Sequence, residues 1–363
     1  MWHTHADLER IRTNVNAGNE PWKSAFEQFK TDQYSLANYT MRGPNAVISR
    51  GSVSNYTSFS ADVRAAWQNA LMWYITSEQA HGNLSTKILD AWGSNLTDII
   101  GTDRSLLIGL DGDLFVNAAE IMLHEGGWVE SGSKWQGGSG FSVQLYWLFS
   151  RQSAVVGQAN YGMASIKAML NFAVFLDDVQ LWNFAVHELV NHPCAGVLAS
   201  YHPKTGQSVE AGRDQGMLKP LEIAFTVLIT VGHVQSGIGW TAYAMRTAQS
   251  QGLDLYSLGG DVLLKAAEYA AKFNLNGTVA YDPDWYRCEA VLVGGPWQNI
   301  STNSFGIRSK ISIWDHLYYE YVVKRGLSAP WTEKAKDAEG FEGGAVDPSL
   351  NDHPGWGELL WAV

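Results

Sequence analysis

The stretch ANYGMASIKAMLNFAVFLDDVQLWNFAVHELV, residues 159–190, decides the fold class of this chain. Apolar residues recur at helical spacing over Tyr161–Leu176 and again over Val179–Val190. Only Asp177 and Asp178 separate the two runs, so the two helices must lie side by side. The stretch therefore predicts a helical hairpin.

The same rhythm of helix, short turn and helix continues on both sides of this hairpin. The further helical patterns are His5–Asn16, a helix opened by Pro21, Ala61–Ile75, Thr86–Trp92, Ser105–Leu123, Met217–Gly232, Thr241–Gln251, Asp261–Phe273 and Ile311–Lys324. A Gly-rich turn at 237–239 is predicted to separate two of them. Alternating Val and Ile are scarce, so we expect few strands.

The arrangement of the hairpins favours a closed ring over an open solenoid, because the units share little sequence and Gly-rich loops recur on alternate connections. We therefore expect an all-α fold, an α/α toroid that forms an incomplete barrel of six or seven helical hairpins. Residues 1–363 are interpreted as a single domain, with 327–363 as a loop-like tail that wraps around it.

The composition narrows the function. A net charge of -11 argues against nucleic acid as a partner, and a polyanionic ligand would need a local cationic cluster. No apolar run reaches the roughly 18 residues of a membrane span, so we expect no membrane partner. The 16 Trp, 15 Tyr and 13 Phe are typical of an aromatic core combined with a sugar-binding cleft. We expect a monomer.

Several features indicate an extracellular glycoprotein. No signal peptide is visible, and Met1-Trp2-His3 leads directly into a helix pattern, so we expect a secretion signal to have been removed. Cys194 and Cys288 either form a disulfide, which we favour, or are buried thiols. Six Asn-X-Ser/Thr sequons lie at Asn38, Asn55, Asn83, Asn95, Asn276 and Asn299.

Residues 200–217 form the densest polar segment, and a long loop of this kind is either solvent-exposed padding or a site. Its candidate site residues are Tyr201, His202, Gln207, Glu210, Arg213, Asp214 and Gln215. Elsewhere, Asn160 either caps a helix or faces a ligand, and Asn117 either belongs to an internal hydrogen-bonded pair or to the site. Asn160 and Arg213 are predicted to begin successive inner helices and so to lie at the same end of the toroid.

Two further aromatic and cationic candidates, Tyr286 and Arg308, precede the last long helix; a buried Arg308 would need an anionic partner. The sequence holds no HExxH motif, no cysteine pair with metal spacing and no EF-hand loop, so we predict neither a metal nor a cofactor.

The chain resembles alginate lyases of the α/α-toroid type along nearly its whole length. The resemblance rests on the order of HADLERIR (5–12), NAAEIM (117–122), ANYGMASIKAMLNFAVFLDD with LWNFAV (159–186), EAGRDQG (210–216), GLDLY (252–256), AAEYAAKFNL (266–275) and IWDHLYYEYVVKRGLSAPW (313–331). It implies cofactor-independent β-elimination of a β-1,4-linked polyuronate, with alginate and glucuronan both open as substrates.

The resemblance also implies site residues. The Asn that neutralises the substrate carboxylate matches Asn160, and the Arg at the start of the next inner helix matches Arg213. The family has its base, a His, directly after that Asn, where this chain has Tyr161. The family also has a Tyr about two turns after that Arg. This chain has no Tyr there, and the region holds Lys219 and Pro220.

The base and acid are therefore assigned from the loop: His202 as base, and Tyr201 or Tyr161 as acid. The remaining candidates for contacts with substrate are Gln207, Glu210, Gln215, Arg308, Tyr286 and Asn117. Two alternatives stay open. One is a glycoside hydrolase that uses Glu210 and Asp214, which could equally be ion-pair partners of Arg213; the other is a non-catalytic protein that binds oligouronates.

Overall fold

The computed structural model describes residues 1–130, 134–135, 138–213, 232–285, 297–301, 311–344 and 351–363. The helices are α1 His5–Ala17, α2 Trp22–Phe29, α3 Thr57–Thr76, α4 Gln79–Asn95, α5 Arg104–Leu107, α6 Asp113–His124, α7 Phe141–Leu145, α8 Arg151–Ser153, α9 Ala159–Phe175, α10 Val179–Asn191, α11 Val197–Ser200, α12 His233–Ser250, α13 Leu258–Asn274, α14 Trp314–Leu317, α15 Pro330–Glu339 and α16 Gly357–Leu360.

Wider π-helical turns extend three of these helices: Ile108–Gly112 joins α5 to α6, Tyr146–Ser150 joins α7 to α8, and Tyr318–Lys324 continues α14. The strands are short. β1 (Val47–Ser49) pairs in parallel with β2 (Asp98–Ile100), and β3 (Lys134–Trp135) pairs antiparallel with β4 (Gly138–Ser139). The described part of the chain is therefore overwhelmingly helical, as the sequence predicts.

The helices form two layers. Helices α3, α6, α9 and α12 are buried on nearly every face and pack against one another in chain order. In α10, by contrast, only Ala185 and Leu189 are buried, because this helix covers the outside of α9. Similarly, α4 covers α3, and α13 packs on α12. An inner ring of helices inside an outer ring is the α/α toroid that the sequence predicts.

The hairpin around Gly237 and Gly239 differs from the prediction of a turn. Both glycines lie inside α12, which is continuous from His233 to Ser250. A β-carbon at position 239 would lie 2.4 Å from Ile313 Cγ2 and 2.7 Å from His353 Cε1, so the glycine permits close packing rather than a bend. The predicted helix Met217–Gly232 lies, apart from its last residue, outside the described residues.

The C-terminal segment also differs from the predicted loop-like tail. Residues 330–339 form α15, and residues 351–362 are buried almost throughout. Asn351 accepts a hydrogen bond from Arg64 Nε at 2.8 Å and donates one to Asp111 Oδ1 at 2.6 Å. The end of the chain is therefore part of the core.

One buried ion pair joins the inner helices. Lys167 Nζ on α9 lies 2.6 Å from Asp113 Oδ2 on α6, and both side chains are almost fully buried. Asn171 donates to the other carboxylate oxygen of Asp113 and accepts from Thr247 Oγ1 of α12 at 3.0 Å. The network fixes the relative rotation of three inner helices, because each partner must present its polar group to the same point.

None of the described helices is long and apolar enough to cross a membrane. All six sequon asparagines are exposed, as glycan attachment requires; their glycosylation stays a prediction. Cys194 is disulfide-bonded. Cys288 lies outside the described residues, so their pairing also stays a prediction.

Replacing Lys167 by Met should destabilise the fold by about 3–5 kcal/mol, because it leaves the Asp113 carboxylate buried without its cation. The change is measured from the midpoint of denaturant unfolding at neutral pH. Adding Asp113→Asn to Lys167→Met should recover part of the loss, since the uncompensated charge is gone. A double variant that is no more stable than Lys167→Met would contradict this role of the pair.

Candidate active site

A polar cluster lies where α9 and α12 begin. It consists of Asn160, in the first turn of α9, His233, the first residue of α12, and Glu210 and Arg213 from the turn that ends the polar loop. Asn160 Nδ2 lies 3.1 Å from His233 Nδ1, and Arg213 Nη1 lies 3.4 Å from the same nitrogen. Asn160 and Arg213 thus lie at the same end of the toroid, as predicted.

Glu210 organises this cluster. Its Oε1 accepts from the backbone N–H of Asn160 at 3.0 Å, and its Oε2 accepts from Arg213 Nη1 at 2.9 Å. The carboxylate is 2% exposed and lies at the N-terminus of α9, where unpaired N–H groups and the helix dipole favour negative charge. Glu210 is therefore an ion-pair partner of Arg213, one of the two interpretations that the sequence left open.

The start of α9 is held from a second side. The backbone N–H of Ala159 donates to the carbonyl oxygen of Cys194 at 2.6 Å, and Ala159 has a φ of 47°, in the left-handed region. This contact makes the disulfide-bonded Cys194 part of the frame that positions Asn160.

His233 Nδ1 lies among three polar groups of the cluster. It faces the amide of Asn160 and the guanidinium of Arg213, and it lies 3.8 Å from Glu210 Oε2. When Nδ1 accepts from the two N–H groups, the ring is the neutral tautomer that carries its proton on Nε2. The ring is 23% exposed. It therefore offers a basic nitrogen at the mouth of the site.

Two tyrosines flank the cluster with different access to solvent. Tyr201 lines a small cavity with Asn160, Glu210 and His233, but it is 2% exposed, and its hydroxyl bonds Thr241 Oγ1 at 3.0 Å. Burial, together with the Glu210 carboxylate, raises the pKa of Tyr201 well above its usual value.

Tyr161 is only partly buried. Its pKa is raised by burial first and by Asp103 second, while the guanidinium groups of Arg50 and Arg213 oppose the shift. Both tyrosines therefore hold their protons through neutral pH, and Tyr161 is the more accessible donor.

His202 does not join the cluster. Its Nδ1 accepts from the backbone N–H groups of Lys204 and Thr205 at 3.1 and 3.2 Å, and its ring packs against Trp285. Tyr201 and His202 are neighbours in extended backbone, so their side chains point to opposite sides, and Tyr201 takes the inner one. The base role assigned to His202 therefore gains no support from its position.

Gln207 and Asn117 each have their amide groups engaged elsewhere. Gln207 exchanges two hydrogen bonds, of 2.8 and 2.7 Å, with the backbone of Asp282. Asn117 accepts from Trp2 N and donates to the carbonyl of Asp113, near the other end of α9. The hydrogen bonds of these two side chains therefore hold the fold together. The remaining candidates lie outside the described residues: Asp214, Gln215, Tyr286 and Arg308.

His233 is the residue of this cluster that sequence reasoning missed. It follows Arg213 by 20 positions and Asn160 by 73, so no local spacing connects the three. The available signal was a His next to a Gly at the start of an apolar helix pattern, which is also typical of an ordinary helix terminus.

The chemistry that these groups allow is acid–base catalysis beside an anion site. Arg213 and the Asn160 amide supply hydrogen-bond donors, His233 a neutral base and Tyr161 a protonated hydroxyl. Among the described residues, no group of three or more His, Cys, Asp or Glu side chains could hold a metal ion.

Comparison with known proteins finds solved structures of similar fold. No family model and no curated protein matches the chain. Among solved structures, alginate lyase A1-III from Sphingomonas species A1 is 13% identical, with a TM-score of 0.63 over 98% of this chain and 95% of that one. A variant of A1-III complexed with a tetrasaccharide is 14% identical, with a TM-score of 0.55 over 98% and 94%.

An alginate lyase from Bacteroides ovatus is also similar, with 11% identity and a TM-score of 0.54 over 100% of this chain and 98% of that one. At these identities the likeness concerns the fold. The chain has an alginate-lyase-like fold, an α/α toroid, as the resemblance predicted.

Replacing Glu210 by Ala should lower the stability by about 3 kcal/mol, because Arg213 and the Asn160 N–H lose their buried partner. The control is Glu27→Ala, which removes a 56% exposed partner of Lys30 and should cost less than about 1 kcal/mol. Denaturant unfolding of both variants measures the difference. Equal losses would show that Glu210 does not organise the cluster.

Proposed function

We propose that this protein is a polysaccharide lyase that cleaves a β-1,4-linked polyuronate by β-elimination, leaving a 4,5-unsaturated uronate at the new end. The observation that carries the proposal is the cluster of Asn160, Glu210, Arg213 and His233, which combines an anion site with a neutral base. The likeness of the fold to alginate lyases, one of them complexed with a tetrasaccharide, supports the same class.

The first requirement of the reaction is to make the C5 proton acidic. That proton is α to the uronate carboxylate, so its removal places charge on the carboxylate. Arg213, with Asn160 beside it, would hold the carboxylate and stabilise this charge. Glu210 keeps the guanidinium in place through its second oxygen. Because Glu210 balances the charge of Arg213, the cluster offers the ligand directed N–H donors rather than a net positive charge.

The second requirement is a base next to the anion site, because C5 is bonded directly to the carboxyl carbon. His233 Nδ1 lies within 3.4 Å of both carboxylate-binding groups. When a carboxylate takes over their N–H groups, the lone pair of Nδ1 is released to accept the C5 proton. His233 thus replaces His202 as the proposed base.

The third requirement is an acid for the leaving oxygen. As the C5–H electrons form the C4=C5 double bond, the C4–O4 bond breaks and O4 takes a proton. Tyr161 is the proposed donor, because it is the more exposed of the two tyrosines and its raised pKa keeps it protonated. Tyr201 lies beneath the site and is proposed to position Asn160 and α12.

A hydrolase that uses Glu210 is disfavoured by the contacts of this carboxylate. Both oxygens are engaged, one by Asn160 N and the other by Arg213, and the group is buried. A general acid or base needs a free oxygen directed at the substrate.

Incubation with poly-mannuronate, poly-guluronate and glucuronan in parallel tests the proposed reaction. We expect near-ultraviolet absorbance to rise with at least one polymer, because elimination creates a conjugated double bond, and the responding polymer names the substrate. We also expect a secreted enzyme to act on such a polymer outside the cell. New reducing ends without a rise in absorbance would instead indicate hydrolysis. If neither signal is observed, the remaining interpretation is a protein that binds the polymer without cleaving it.

Replacing His233 by Ala should lower kcat by about 10²–10⁴-fold, because the general base is lost. The matched controls are His187→Ala, a 66% exposed residue on outer helix α10, which should keep wild-type turnover, and His202→Ala. Circular dichroism checks that each variant is folded. If His202→Ala loses turnover and His233→Ala keeps it, the base assignment belongs to His202.

A further inference from the structure

A second groove with features of a sugar-binding surface lies on the outside of the toroid, between α13 and α15. It encloses about 450 Å³. Its lining includes two aromatic residues, two lysines and hydroxyl groups: Trp331, Tyr269, Lys265, Lys272, Thr278 and Ser328. None of these residues belongs to the cluster at the start of α9 and α12.

The groove borders the loop that leads to the candidate active site. Lys265 Nζ donates to the carbonyl of Pro203 at 2.9 Å, and a β-carbon at Gly206 would lie 2.2 Å from the backbone of Lys265. Residues 203–206 are therefore packed directly on α13. They are continuous in sequence with Tyr201, which lines the cavity shared with Asn160.

The charge in the groove is opposite to that of the whole protein. Lys334 Nζ lies 4.4 Å and Lys272 Nζ 5.9 Å from the centre of the Trp331 ring. Within the part of the chain that the structure describes, no carboxylate lies within ion-pair distance of Lys265, Lys272 or Lys334. In a chain of net charge -11, three lysines free of carboxylates on one face are a local cationic surface.

The acidic residue of the groove, Glu268, is engaged by the start of α15 rather than by a lysine. Both carboxylate oxygens of Glu268 accept from Trp331 N at 3.1 Å, and one also accepts from Thr332 N at 2.7 Å. The carboxylate thus caps the N-terminus of α15 and holds Trp331 in place. The lysines remain available to an external anion.

We propose that this groove is a secondary binding site for the acidic polysaccharide, separate from the site of cleavage. The lysines pair with uronate carboxylates, the hydroxyl groups bond to sugar hydroxyls, and the Trp331 ring gathers Lys272 and Lys334 around it. The inference rests on the proposed function for the identity of the polymer. Its benefit is multivalency: a chain held at the groove is presented to the active site at high local concentration.

Affinity electrophoresis tests the groove directly. The parent protein and its variants are made in the bacterial periplasm, which forms disulfides, and all of them carry His233→Ala so that the polymer in the gel stays intact. For Lys272→Gln/Lys334→Gln we expect the dissociation constant for the polyuronate to rise roughly fivefold to tenfold, the loss of two surface ionic contacts. The control Lys23→Gln/Lys87→Gln removes the same charge from exposed positions on α2 and α4 and should change it less than about twofold.

Kinetics with His233 restored provide the second measurement. The KM of the groove variant should rise at least about five times more for long polymer than for a tetrasaccharide, which is too short to span both sites. The proposed binding site would be contradicted if the groove and control variants were retarded equally. It would also be contradicted if no polyuronate retarded the parent protein. Equal retardation of the parent in a neutral dextran gel would overturn its carboxylate specificity.

The outcomes separate this inference from the proposed function. Groove-dependent retardation without elimination products would retain the groove and reject the catalytic proposal. Elimination with retardation that does not depend on Lys272 and Lys334 would retain the catalytic proposal and reject the groove.

Discussion

The buried contact between Asp113 and Lys167 is the constraint on which the inner ring depends. A buried carboxylate and a buried ammonium destabilise the fold unless they form an ion pair. The pair therefore fixes the rotation of α6 relative to α9. Lys167 follows Asn160 by two helical turns, which places both on the same face of α9. The rotation that satisfies the ion pair therefore also directs Asn160 towards α12 and His233.

At the N-terminus of α9, Glu210 balances the charge of Arg213. One carboxylate there satisfies a helix N-terminus and an arginine, which leaves His233 as the group with a lone pair near the anion site. The middle and the start of α9 differ in access to solvent. Lys167 is buried beneath the aromatic rings of Trp2 and Tyr243, whereas His233 and Arg213 are each 23% exposed. The buried ion pair and the polar cluster are thus separated along a single helix by about 10 Å.

The overall acidity of the chain and the proposed acidic substrate are compatible because positive charge is concentrated locally. Arg213 supplies N–H donors at the inner ring of helices. Outside that ring, a cationic surface is formed by Lys265, Lys272 and Lys334. Screening in salt limits each surface lysine to a short range, so repulsion by distant carboxylates is weak beside contacts made in a groove. In the proposed function, contacts at these two places would bind the polymer, and the long-range electrostatic field of the whole protein would contribute little.

The sequence by itself determined most of the described helices, the hairpin of α9 and α10, the toroid, and the placement of Asn160 and Arg213 at one end, because helical periodicity and short connections are local properties. It missed α15, which lies in a segment that it predicted to be loop-like. It did not determine whether Gly237 and Gly239 form a turn or lie within a helix, since that depends on the approach of Ile313 and His353. Nor could it choose between histidines. His202 was adjacent to promising residues, but its ring packs on Trp285 and bonds to the backbone of its own loop. His233 is distant in sequence, yet packing of α12 on α9 brings its ring to Asn160. Only the tertiary structure decides such contacts, because they join residues from helices that the chain itself keeps far apart.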